Sequence, residues 1–98
     1  MEEKIALVTG ASRGIGSQIA KTLAMKNIFV VVNYSGSKEK AEKTAEEIQN
    51  AGGKAVVYGC DISDFHATED MVKEIVKQHG HLDILINNAG ITKDNLIM

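Results

Sequence analysis

The sequence predicts an α/β protein built on a doubly wound parallel sheet of the Rossmann type, with elements in the order β-α-β-α-β-α-β and strands in the order 3-2-1-4. Three observations carry this. Short apolar runs alternate with amphipathic stretches of helical period. The runs are apolar throughout instead of at every second residue, as expected of strands covered on both faces. Right-handed crossovers between parallel neighbours then favour this strand order.

The elements follow in turn. Ile5-Ala6-Leu7-Val8 is the first buried strand, and Thr9-Gly10 closes it. Ile15, Ile19, Ala20 and Leu23 recur at helical spacing, so residues 14 to 26 read as a helix, with Asn27 as a left-handed cap. Ile28 to Val32 is a β-branched second strand, and Ser35-Gly36-Ser37 breaks the chain after it. Ala41, Ala45 and Ile48 mark one face of a second helix that Gly52-Gly53 ends. Lys54 to Tyr58 reads as the third strand. Ser63 or Asp64 caps a third helix with Val72, Ile75, Val76 and His79 on its inner face, and Gly80 stops it. Leu82 to Ile86 is the fourth strand, Asn87-Asn88-Ala89-Gly90 turns out of it, and residues 95 to 98 read as the start of another helix.

Composition bounds the function classes. The 98 residues suit one small domain, 1–98, and 44% apolar content supports a core. A net charge of -2 with no basic face argues against a nucleic-acid partner. Cys60 is the only cysteine, so no disulfide framework forms within the chain. The start, Met1-Glu2-Glu3-Lys4, lacks the regions of a signal peptide, and no apolar run is long enough for a bilayer. The expected setting is cytoplasmic.

The chemistry-bearing stretch lies between the first strand and first helix, Gly10-Ala11-Ser12-Arg13-Gly14-Ile15-Gly16. Gly10 turns tightly, small residues admit a pyrophosphate, Gly16 lets the helix approach the sheet, and the helix N-terminus offers N–H groups and a positive dipole end. A glycine turn without a ligand has the same spacing. At the end of the second strand a carboxylate would select NAD. Asn33, Tyr34 and Ser35 stand there instead, and Arg13 can fork onto a 2′-phosphate, which points to NADP. Asp61, followed by Ile62, can take an adenine amino group or cap the local turn. Asn88, Ala89 and Gly90 lie where a cofactor ribose would.

"TGASRGIG", "CDI" and "LINNAG" at these spacings resemble the N-terminal part of the short-chain dehydrogenase/reductase family. "VVNYSGS" and "NNAGITKDNLIM" resemble, within it, the 3-oxoacyl-[acyl-carrier-protein] reductases of fatty-acid synthesis. Asn27 replaces the glycine common at that helix end. The resemblance implies a ketone-reducing oxidoreductase, NADP(H) as cofactor, a substrate linked to acyl carrier protein, and a homo-tetramer. It also implies that the chain is the cofactor-binding half of a longer enzyme. The family's catalytic serine, tyrosine, lysine and proton-relay asparagine map beyond Met98, so no catalytic residue is assigned and the chain alone is expected to be inactive. The fourth strand is then an open edge, inviting self-association.

Tyr34 and Lys38 imitate the family's Tyr-x-x-x-Lys pair in spacing. With Gly36 and two serines between them, they are not expected to share a helix face. Tyr34 reads as a wall near the adenosine and Lys38 as a solvated helix-start residue. His66, His79 and His81 lack metal-ligand spacing, and Cys60 reads as a small buried residue. A nucleotide-binding module without catalysis is the second reading. A methyltransferase-like domain for S-adenosylmethionine is a third, which Arg13 and Asn-Asn-Ala-Gly disfavour.

Overall fold

The computed structural model describes residues 3–11 and 14–88. Ser12, Arg13, Ala89, Gly90 and the expected helix start at 95 to 98 lie outside the described residues. The elements are β1 (Ile5–Val8), α1 (Gly14–Ala24), β2 (Phe29–Tyr34), α2 (Lys38–Asn50), β3 (Ala55–Gly59), α3 (Phe65–His79) and β4 (Ile84–Ile86). The strands form one parallel sheet in the order β3-β2-β1-β4, as the alternation predicts.

Successive side chains leave a strand on opposite faces, and the core divides accordingly. Val8, Val30 and Val32 meet Ala20, Ala24, Ala41, Ala45 and Ile48 from α1 and α2. Ile5, Leu7 and Val31 meet Met71 and Ile75 from α3. The alanines let the first two helices lie close to the sheet and to each other. Between them, the buried Ser17 and Thr44 hydroxyls hydrogen-bond at 3.1 Å, and Lys21 pairs with Glu47 at the more exposed end.

Local chemistry sets the helix ends. Asn27 takes φ 64°, the left-handed cap expected there. Before it, the Lys26 and Asn27 N–H groups reach back only three residues, to Leu23 and Ala24, so regular helix stops at Ala24 instead of residue 26. Ser37 caps α2 by accepting from Lys40 N–H at 3.1 Å. Asp64, not Ser63, caps α3 by accepting from Ala67 N–H at 3.1 Å. Gly80 closes α3 at φ 90°.

Other expectations change as well: β3 is shifted by one residue to Ala55–Gly59, and β4 begins at Ile84 instead of Leu82. β2 runs on to Tyr34, because Asn33 pairs with Tyr58 and Tyr34 with Gly59 in register. The buried residues of α3 are Met71 and Ile75, while Val76 is 39% exposed. Val76 lies some 100° around the helix from Ile75, and that rotation takes it off the sheet. Cys60 is half-buried, with its Sγ 4.0 Å from the Thr68 hydroxyl, because it follows β3 at the sheet's margin.

Candidate functional site

The carboxyl ends of the parallel strands bring the loops after β1, β2, β3 and β4 to one edge. At its centre is the turn after β1. Gly10 and Gly14 adopt φ 62° and φ 66°, a left-handed region that glycine enters without Cβ penalty. Gly16 has a different constraint. A Cβ there would stand 2.4 Å from the Gly10 carbonyl oxygen and 2.6 Å from Asn88 Nδ2. The missing side chain therefore brings the start of α1 against the turn.

Amides on both sides hold that turn. Asn33 Oδ1 accepts from Gly10 N–H at 3.2 Å, and the Asn33 carbonyl accepts from Ala11 N–H at 3.0 Å. Asn88 Nδ2 donates to the Gly10 carbonyl at 3.1 Å. Just before the turn, Thr9 Oγ1 donates toward the Ile86 carbonyl at 3.3 Å and Asn87 Oδ1 at 3.2 Å. Thr9 belongs to the site's frame although the motif alone gives it no role. Its nearness to Asn87 arises from β1–β4 pairing across 78 positions.

The first turn of α1 contains no acidic residue, and Ile15 at its start is 73% exposed. The initial N–H groups of a helix lack intrahelical partners and favour an anion. This edge can accordingly receive a phosphate without displacing a carboxylate from that turn.

On the other side of the turn, Asn33 is buried, Tyr34 half-buried, and Ser35 and Gly36 exposed. Tyr34 lies over Gly59: a Cβ at Gly59 would come within 2.7 Å of the phenol oxygen. Gly59 is a second residue that sequence reasoning missed. Its signal is a glycine at the end of β3, level with Tyr34. Asn33 does not present its side chain at the surface as a strand-end residue would, because β2 continues past it. Ser35 and Gly36 are the residues exposed beyond it.

Asp61 makes the local turn. Its Oδ1 accepts from Ser63 Oγ–H at 2.7 Å and Ser63 N–H at 3.0 Å. Those bonds, the hydroxyl's foremost, hold its carboxyl below the ordinary range. Ile62 beside it is half-buried against the α3 side of the core. Tyr34 is a strand residue and Lys38 the first residue of α2, with the Ser37 cap between them. Lys38 Nζ lies 3.9 Å from Glu42, one turn along its own helix. Among the described residues no group of three or more His, Cys, Asp or Glu side chains is arranged to hold a metal ion. No helix there is long and apolar enough to cross a membrane.

Known proteins match this architecture. The sequence profile of the family described as short chain dehydrogenase matches residues 4–97. The 3-oxoacyl-[acyl-carrier-protein] reductase FabG of Staphylococcus aureus (strain Mu50) is 54% identical over 95 residues, covering 97% of this chain and 39% of that protein. The chain thus spans well under half the length of that relative. The short-chain dehydrogenase/reductase homolog YusS of Bacillus subtilis (strain 168) is 49% identical over 90 residues, covering 92% of this chain and 83% of that one. The crystal structure of a metagenomic short-chain oxidoreductase in complex with NADP superposes with a TM-score of 0.86 at 38% identity, over 93% of this chain and 41% of that one. A dehydrogenase/reductase from Sinorhizobium meliloti 1021 gives 0.86 at 40% identity, over 99% and 40%. With the glycine turn, the 3-2-1-4 sheet and a profile match over nearly its whole length, this chain belongs to the short-chain dehydrogenase family of oxidoreductases.

Proposed function

We propose that this chain binds NADP(H) at the carboxyl edge of its sheet and is the cofactor-binding part of an NADPH-dependent reductase of 3-oxoacyl thioesters on acyl carrier protein. The observation that carries the binding reading is the Gly10 turn, held between the Asn33 and Asn88 side chains at the start of an acid-free helix turn. The substrate reading rests on likeness to FabG of Staphylococcus aureus, and the choice of NADP is supported by the NADP-bound structural relative.

In this reading the pyrophosphate lies on Gly10 to Gly16, and Arg13 with Ser35 receives the 2′-phosphate. Tyr34 walls the adenosine, Asp61 and Ile62 border the adenine, and Asn88 to Gly90 border the ribose. The bound dinucleotide supplies the hydride. The chain's own residues bind and orient it. Residues 1–98 form a single dinucleotide-binding domain without a catalytic proton donor, and alone do not turn over substrate. The whole enzyme works in the cytoplasm as a homo-oligomer.

A second reading has a specific observation behind it. The Bacillus subtilis homolog is covered over 83% of its length, so a family member of similar size exists. A nucleotide-binding module without catalysis is consistent with that.

Calorimetric titration with NADPH and NADH tests the binding claim. Tighter binding of NADPH, with the preference lost in Arg13→Ala, is the expected result. Equal affinities in the wild type contradict it. Turnover of an acetoacetyl thioester by the 98-residue chain would contradict the assignment of catalysis to other residues.

A further inference from the structure

We infer that Asn33 is a positioning residue, whose buried carboxamide sets the Gly10 turn of the phosphate-binding loop without touching the dinucleotide. This rests on the NADP-binding reading above. It concerns how the loop is held, whichever dinucleotide is preferred.

Asn33 is 1% exposed, although it sits one residue from the end of β2. Its Oδ1 accepts from Gly10 N–H at 3.2 Å. Its Nδ2 faces the Tyr58 and Cys60 carbonyls, both at 3.2 Å, with longer approaches to the Tyr34 carbonyl at 3.5 Å and Met71 Sδ at 3.7 Å. One planar group thereby joins the loop after β1, the end of β3 and the inner face of α3. Only a carboxamide offers an acceptor and two donors in so short a side chain. A carboxylate would turn a second oxygen toward two carbonyl oxygens, and a hydroxyl would have one proton for both.

The bond to Gly10 has a consequence beyond satisfying a buried group. Gly10 is the left-handed residue that turns the chain from β1 toward α1. Asn33 holds its N–H while Asn88 holds its carbonyl, so both peptide planes flanking this Cα are fixed. The direction of the following N–H groups, which would meet the phosphates, depends on those planes.

The test combines amide hydrogen exchange by NMR with cofactor titration. Asn33→Leu keeps the branched shape and removes every side-chain hydrogen bond, leaving the backbone bond from Ala11 N–H in place. In that variant Gly10 N–H should exchange at least about tenfold faster while Val31 N–H in β2 keeps its rate. Affinities for NADPH and NADH should fall by the same factor, because the loop and not the 2′-phosphate is affected. Gly10 exchange within about twofold of wild type, with Val31 unchanged, overturns the inference. So does a loss confined to NADPH, which would mark Asn33 as a direct phosphate contact. Should the variant not fold, the wild type still decides: slow exchange of the Asn33 carboxamide protons supports the clasp, and exchange at the rate of a solvated amide contradicts it. Failure of the wild type to bind either dinucleotide sinks the binding reading, while the exchange data still report whether Asn33 holds Gly10.

Discussion

Asn88 Nδ2 donates to the carbonyl of Gly10 at 3.1 Å, joining the end of the described chain to its first turn. The same Nδ2 would stand 2.6 Å from a Cβ on Gly16. Asn88, Gly10 and the start of α1 therefore meet in one place with no room for another carbon.

Gly16→Ala follows from that contact. Helix propensity alone would favour the alanine by about 1 kcal/mol. The new Cβ would lie 2.4 Å from a backbone oxygen, which cannot swing aside as a side chain can. The net effect expected in urea melts is a loss of about 1–3 kcal/mol. Gly36→Ala is the control, since its Cβ would meet nothing within 4 Å. That change should stay within about 0.5 kcal/mol.

A charge at the surface end of β2 should discriminate between cofactors, and a buried one should not. Ser35 is exposed, so Ser35→Asp places a carboxylate where a 2′-phosphate would repel it. Calorimetry should show NADPH weakened relative to NADH by on the order of fivefold to tenfold. Asn33→Asp should instead weaken both and lower stability, because its second oxygen would face the Tyr58 and Cys60 carbonyls. Selective loss of NADPH in Asn33→Asp would reverse this assignment.

The order of elements was legible because each strand is a short apolar run and each helix shows its period. Asn33 was not legible. In a parallel strand with both faces covered, the run Val30-Val31-Val32 shows no polar alternation, so the first amide looked like the strand's end. Its partners, Gly10, Tyr58 and Cys60, become neighbours only when three strands align. Met71 was missed for a different reason. Met71 and Val76 flank Ile75 on the helical wheel, both are apolar, and periodicity cannot choose between them without the sheet. The left-handed turn at Gly10 was legible from its glycine, while its support by Thr9 and Asn87 depends on β4 lying beside β1.

Acid should weaken the fold at two identified carboxyls. The Ser63 hydroxyl and N–H hold Asp61 below its ordinary value, and the hydrogen bond and charge of Lys21 do the same for Glu47. A depressed folded value contributes stability above the unfolded value, and that contribution is lost as pH falls through the folded value. Urea midpoints should therefore decline as pH drops below about 4.5. Ser63→Ala, which removes the larger of the Asp61 bonds, should shrink the decline. An equal decline in that variant would exclude Asp61 as a contributor.

β4 bonds to β1 and is the edge of the described sheet, with Leu85 52% exposed. Self-association through this edge predicts a thermal midpoint that rises with protein concentration. Leu85→Lys should remove that dependence. A concentration-independent midpoint in the wild type would show that the edge does not pair.

Whether the glycine turn receives the dinucleotide's phosphates is read directly by a two-dimensional NMR titration of the amide signals with NADPH. Saturable shifts are expected at Gly10, Ala11, Gly14, Ile15 and Gly16, with smaller ones at Ser35, Asp61 and Asn88, and none at Gly53 or Gly80 on the opposite edge. No saturable shift, or shifts centred away from the Gly10 turn, would contradict phosphate binding at this turn.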